Sequence, residues 1–83
     1  MIPLVQALVE AFLFLEMSGE DQVDPDAAVG CMENMSASLL SLPESGQLEV
    51  RDAMKRLAED SEDPTYKKFV AGLPDMLGLT NRM

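Results

Sequence analysis

The sequence predicts an all-α fold, a compact four-helix bundle with short loops, in a single helical domain over residues 1–83. Three observations carry that expectation. Apolar residues recur at helical spacing in four segments. Two segments open on Asp-Pro, at Asp24-Pro25 and Asp63-Pro64, where Asp is a favoured N-cap and Pro suits the first helical position. Apolar–polar alternation is nowhere sustained beside β-branched residues, so no strand is predicted.

The first helix is expected over Ile2–Met17, with Pro3 in its first turn. At about 100° per residue, Ile2, Leu4, Val5, Leu8, Val9, Phe12, Leu13 and Leu15 fall within one half-turn. That stripe is wider than a surface helix needs. Phe14 falls on the far side, near Ala7 and Ala11. The helix therefore reads as central and touched from two sides, or as turning Phe14 towards a partner or a second copy. Residues 18–24 form a loop, with Gly19 suited to a helix C-cap.

The second helix starts at Asp24-Pro25, with Asp26 favourable at the positive end of the macrodipole. Its predicted face is Ala28, Val29, Met32, Met35, Leu39 and Leu40. Cys31 lies at the edge of that stripe and reads as a small buried thiol. The third helix starts near Leu42-Pro43, where Ser41 and Glu44 have capping-box spacing. Its core stripe is Val50, Ala53, Met54, Leu57 and Ala58, and its other face is charged, with an Asp52–Arg56 (i, i+4) pair. The fourth helix starts at Asp63-Pro64, with Tyr66, Phe69, Val70 and Leu73 on one side. Gly72 and Pro74 are expected to end it. One further turn over 74–77 would then stop at Gly78, with Leu79 folding back onto the core and 80–83 fraying.

Composition narrows the function classes. The chain has no His, which removes imidazole from general-base catalysis and from metal binding. Its one Cys allows neither an intramolecular disulfide nor a cysteine-based zinc site. It also fits a reducing compartment, so a cytoplasmic location is expected. The apolar run over residues 1–17 contains Glu10 and Glu16 and no base. It lacks the basic start of a signal peptide and the ~20 apolar residues of a membrane span. A formal net charge of −9 repels nucleic-acid phosphates, so no nucleic-acid partner is expected.

Candidate chemistry is sparse. Counted from Asp24 as the first ligand of an EF-hand loop, Val29 stands where glycine belongs and Met35 where glutamate belongs, so the calcium register fails. Cys31, Ser36, Ser38 and Ser45 are possible nucleophiles without a histidine base. No glycine-rich phosphate loop is present. The expectation is a non-catalytic protein with no cofactor and no metal.

The charge is unevenly placed. Residues 1–42 carry seven acids and no base, while residues 43–83 carry eight acids and all six bases. Two acid-rich loops stand out. One holds Glu20, Asp21, Asp24 and Asp26, and the other holds Glu59, Asp60, Glu62 and Asp63. Capping accounts for Asp24 and Asp63. In an antiparallel bundle these alternate loops share one end, which would form an acidic pole and steer a basic protein partner. Those eight residues and Phe14 are the candidate partner-binding set.

In size, helix content and acidic surface, the whole chain resembles small acidic bacterial toxin-immunity proteins, such as the nuclease-colicin immunity proteins. The resemblance implies a cytoplasmic inhibitor that covers the basic cleft of a toxin such as a nuclease. Two other readings fit the same composition. One is a homodimeric secretion chaperone or adaptor using Phe14. The other is an acidic mimic of nucleic acid, which would spread its carboxylates along a face instead of gathering them at loops.

Overall fold

The computed structural model describes residues 2–79. Four helices follow in order: α1 (Ile2–Met17), α2 (Pro25–Leu40), α3 (Glu44–Asp60) and α4 (Pro64–Leu77). Among the described residues there is no strand. The all-α, four-helix expectation therefore holds, and so do the starts of α1, α2 and α4.

The helices are not equal partners. α3 packs most extensively on α4, and α1 lies between α3 and α2. The shared core is Val5, Val9 and Phe12 of α1, Val50, Ala53, Met54 and Ala58 of α3, and Val70, Leu73 and Leu77 of α4, closed by Leu79. Val5, Val9 and Phe12 follow (i, i+4, i+7) spacing, so one narrow line of α1 is buried. Burying a side chain of this size contributes about 1.5–3 kcal/mol. Leu4, expected on the same stripe, is 74% exposed. Nothing packs over that edge of the helix, so the wide stripe is only partly used. Glu16 is exposed as well, in keeping with a stripe that runs out to solvent.

α2 is attached more loosely. Ala28 is its one buried residue, while Met32, Met35 and Leu39 lie half-buried against the core. The sequence explains this, because Gly30, Ser36, Ala37 and Ser38 give the helix little apolar area to bury. Val29 and Leu40, expected on its inner face, are exposed. Cys31, expected to be buried, is an exposed free thiol. The radius of gyration is 12.7 Å, slightly above the roughly 12 Å of a tightly packed chain of this length, as a loosely held helix would produce.

The turns are fixed by local hydrogen bonds. Ser18 closes α1 by donating both its N–H and its hydroxyl to the Phe14 carbonyl. The capping box expected at the start of α3 does not form. Ser41 Oγ bonds back to the Ser38 carbonyl, Pro43 is the N-cap, and no side chain caps the helix. Gln47 takes over the turn, its Nε2 donating to the carbonyls of Leu40 and Leu42 at 3.1 and 3.0 Å. This ties the end of α2 to the first turns of α3.

Proline 74 does not end α4. The helix continues through it to Leu77. Pro74 has no N–H to donate to the preceding turn, which ordinarily costs about 3 kcal/mol in a helix interior. It stands in the last turn and is buried between Leu73 and Leu77, which offsets that loss. Gly78 then adopts a left-handed conformation at φ 76°. The Leu79 N–H reaches the Pro74 carbonyl at 3.0 Å and the Gly78 N–H reaches the Asp75 carbonyl at 3.1 Å. These two bonds make a Schellman motif, and Leu79 folds back into the core as expected. The fraying expected at 80–83 lies outside the described residues.

Candidate acidic pole

Helix capping places the first two carboxylates. Asp24 Oδ2 accepts the Ala27 N–H at 3.0 Å and so starts α2. Asp63 Oδ1 accepts the N–H groups of Thr65 and Tyr66 at 3.0 and 3.4 Å and so starts α4. The Asp63 N–H in turn donates to Ser61 Oγ. Each side chain stabilises a helix N-terminus through hydrogen bonds and through its charge at the positive end of the dipole.

Asp26 adds its charge in the first turn of α2 but caps no N–H, and Glu20, Asp21, Glu59, Asp60 and Glu62 have no such task. All eight acids of the candidate set are exposed, and none forms an ion pair among the described residues. The ion pair that does form is Arg51–Asp75 at 3.8 Å, near the far end of α4. Arg51 Nη1 also donates to the Leu79 carbonyl, so this arginine holds the C-terminal lock in place. The expected Asp52–Arg56 pair does not close to salt-bridge distance.

The two acid-rich loops lie at the same end of the molecule. Ser18 and Gln22 of the first loop share one hollow of about 480 Å³ with Asp63, Thr65 and Tyr66 at the start of α4. Leu13, Phe14 and Met17 of α1 complete its wall, and Glu10 stands at its side. Phe14 is 58% exposed there. The arrangement is a largely apolar hollow with two carboxylates, Glu10 and Asp63, and no base among its lining residues. Tyr66 feels this setting. Its partial burial, and then the negative charge of Glu10, push its phenol above the ordinary value.

Cations stand about one turn away. Lys68 lines a shallow depression with Glu16, Met17 and Pro64, and Lys67 shares the α3–α4 groove with Glu59. The pole is therefore acidic on its loop and α1–α2 side and mixed towards α3–α4. Sequence reasoning missed Glu16, Glu10 and Tyr66 as neighbours of the pole. Glu16 was visible as the acid inside an apolar stripe. The approach of Glu10 to Tyr66 spans two helices and left no local signal.

Among the described residues no three acids or thiols converge as metal ligands, and no helix is long and apolar enough to cross a membrane. No protein-family model, curated protein or solved structure matches this chain.

Proposed function

We propose that this chain is a non-catalytic binding protein that neutralises a basic partner in the cytoplasm, acting as a bacterial immunity protein towards a toxin such as a nuclease. One observation carries the reading: both acid-rich loops flank the apolar hollow of Phe14 and Met17 at one end of the bundle. A specific interface needs an apolar centre that excludes water and a polar rim that sets partner and orientation. Glu10 and Asp63 supply acids in the lining itself, and the exposed, non-capping acids of the two loops extend the negative charge around it. A nuclease needs a basic cleft for phosphates, and an acidic surface can cover that cleft without catalytic groups of its own.

The test is capture of the partner from cells at low and high salt, with the partner identified by mass spectrometry. The expected catch is a basic protein whose binding weakens as salt rises. Recovery of no basic protein, or binding indifferent to salt, removes the support for the reading. The charge reversals Glu20→Lys, Asp21→Lys and Glu62→Lys should slow association with the fold intact, because none of these side chains caps a helix.

A homodimeric adaptor is the second reading. The exposure of Leu4 and Phe14 on α1 favours it. A monomer at micromolar concentration would count against it.

A further inference from the structure

The weak attachment of α2 leaves a groove along its flank. It runs beside α2 from Val29 to Leu40 and is closed by Phe12 of α1 and Met76 of α4, enclosing about 400 Å³. Val29, Leu40 and Met76 are 50%, 43% and 55% exposed, and all three line this one groove. Met32 lies half-buried between them. Glu16 and Glu33 are also in the lining, and no Lys or Arg is.

We propose that this groove receives a basic amphipathic helix of a partner protein. Its apolar side chains seat on Val29, Met32, Leu40 and Met76, and its Lys or Arg residues face Glu16 and Glu33. The proposal rests on the reading above, since it names the element by which the basic partner docks.

Three features support this occupant. The stretch from Val29 to Leu40 measures roughly 17 Å along the helix axis, which matches about three turns of a ligand helix with anchors at i, i+4 and i+7. Methionine on two walls can adapt its shape to different apolar anchors. The lining carries acids without bases, so a basic helix is complementary. A second copy of this chain is not. Each copy is at −9, and a two-fold pairing through the groove would set Glu16 and Glu33 against the same residues of the other copy. The described bases all lie on α3 and α4.

The experiment titrates the full chain with two synthetic helical peptides that share Leu and Trp anchors. One carries Lys at its polar positions and the other Glu. The chain has no Trp, so the peptide fluorescence reports alone. The Lys peptide should bind and gain helicity, and the Glu peptide should not. Val29→Asn and Met76→Gln leave the charge unchanged, so they separate groove binding from general attraction to a polyanion. Each should weaken the Lys peptide about tenfold, with helix content intact by circular dichroism. Unchanged affinity in both variants overturns the groove and leaves the acidic-pole reading standing. Equal binding of the two peptides overturns the basic occupant. A dimer of the chain that both substitutions dissociate would assign the groove to a second copy instead. Failure of the pole reading would show separately, as pole charge reversals that leave partner capture unaltered while the groove variants still weaken the peptide.

Discussion

Substitution of Asp63 separates the structural work of the acidic pole from its charge. Asp63 Oδ1 accepts two N–H groups at the start of α4, while its neighbour Glu62 caps nothing and pairs with nothing among the described residues. Asp63→Ala returns both N–H groups to water. Losing an N-cap of this kind costs about 0.5–2 kcal/mol, and losing the charge at the helix start adds about 0.3–1 kcal/mol. An 83-residue domain has a total stability of roughly 4–12 kcal/mol. A loss near 1.5 kcal/mol is therefore a sizeable fraction, and it should lower Tm by about 6–12 °C at about 4–8 °C per kcal/mol. Asp63→Asn keeps an acceptor oxygen and should recover most of that loss. Glu62→Ala should stay within about 0.5 kcal/mol of the parent, or stabilise it slightly, because it thins a cluster of like charge. Thermal and urea unfolding followed by circular dichroism reads all three. If Glu62→Ala destabilises as much as Asp63→Ala, the division between capping and non-capping acids is wrong. The same conclusion follows if Asp63→Asn is no better than Asp63→Ala.

Other outcomes follow from the core and from single contacts. Leu79→Ala should cost about 2–5 kcal/mol, as for other fully buried leucines, although the residue lies near the chain terminus. Gly78→Ala should cost about 1–2 kcal/mol because a left-handed backbone is strained for any residue with a Cβ. Urea unfolding checks both, and a neutral Leu79→Ala would show that the C-terminal lock contributes nothing. Tyr66 is the chain's one tyrosine, so phenolate absorbance follows it alone, and its titration midpoint should lie above that of free tyrosine. The folded chain holds this proton more tightly than the unfolded chain does. The associated stability is therefore complete below the unfolded pKa and is lost as pH rises through the folded one. Tyr66→Phe should abolish that slope, and a midpoint equal to the free value would contradict the placement of Tyr66. Cys31 should react with a thiol reagent in the native state as fast as in urea, and protection in the native state would count against its exposure.

Legibility in the sequence depended on how local each feature was. The Asp-Pro starts of α2 and α4 were readable because capping involves neighbours in the chain. The α3 stripe was readable because burial at Val50, Ala53, Met54 and Ala58 follows the helical period. Pro74 misled because the rule that proline ends helices takes no account of its burial in the last turn of α4, just before Gly78 closes the helix. The Ser41–Glu44 spacing misled because Gln47, reaching back to the carbonyls of Leu40 and Leu42, had already fixed the turn. The site followed the same division. The acid-rich loops could be read directly, whereas the hollow between Phe14, Met17 and Tyr66 and the groove beside α2 needed the helices in place.

The sequence by itself determined four helices, the N-caps of α2 and α4 and the separation of charge along the chain. Each of these rests on interactions within a few residues. The tertiary structure decided which apolar residues are used. Phe12 is buried and Leu4 is open on the same predicted stripe, because α3 and α2 cover only a narrow line of α1. It also left α2 only lightly held, with Val29, Leu40 and Met76 around an open groove. Periodicity states which face of a helix is apolar, but the size and position of its neighbours decide how much of that face is withdrawn from water.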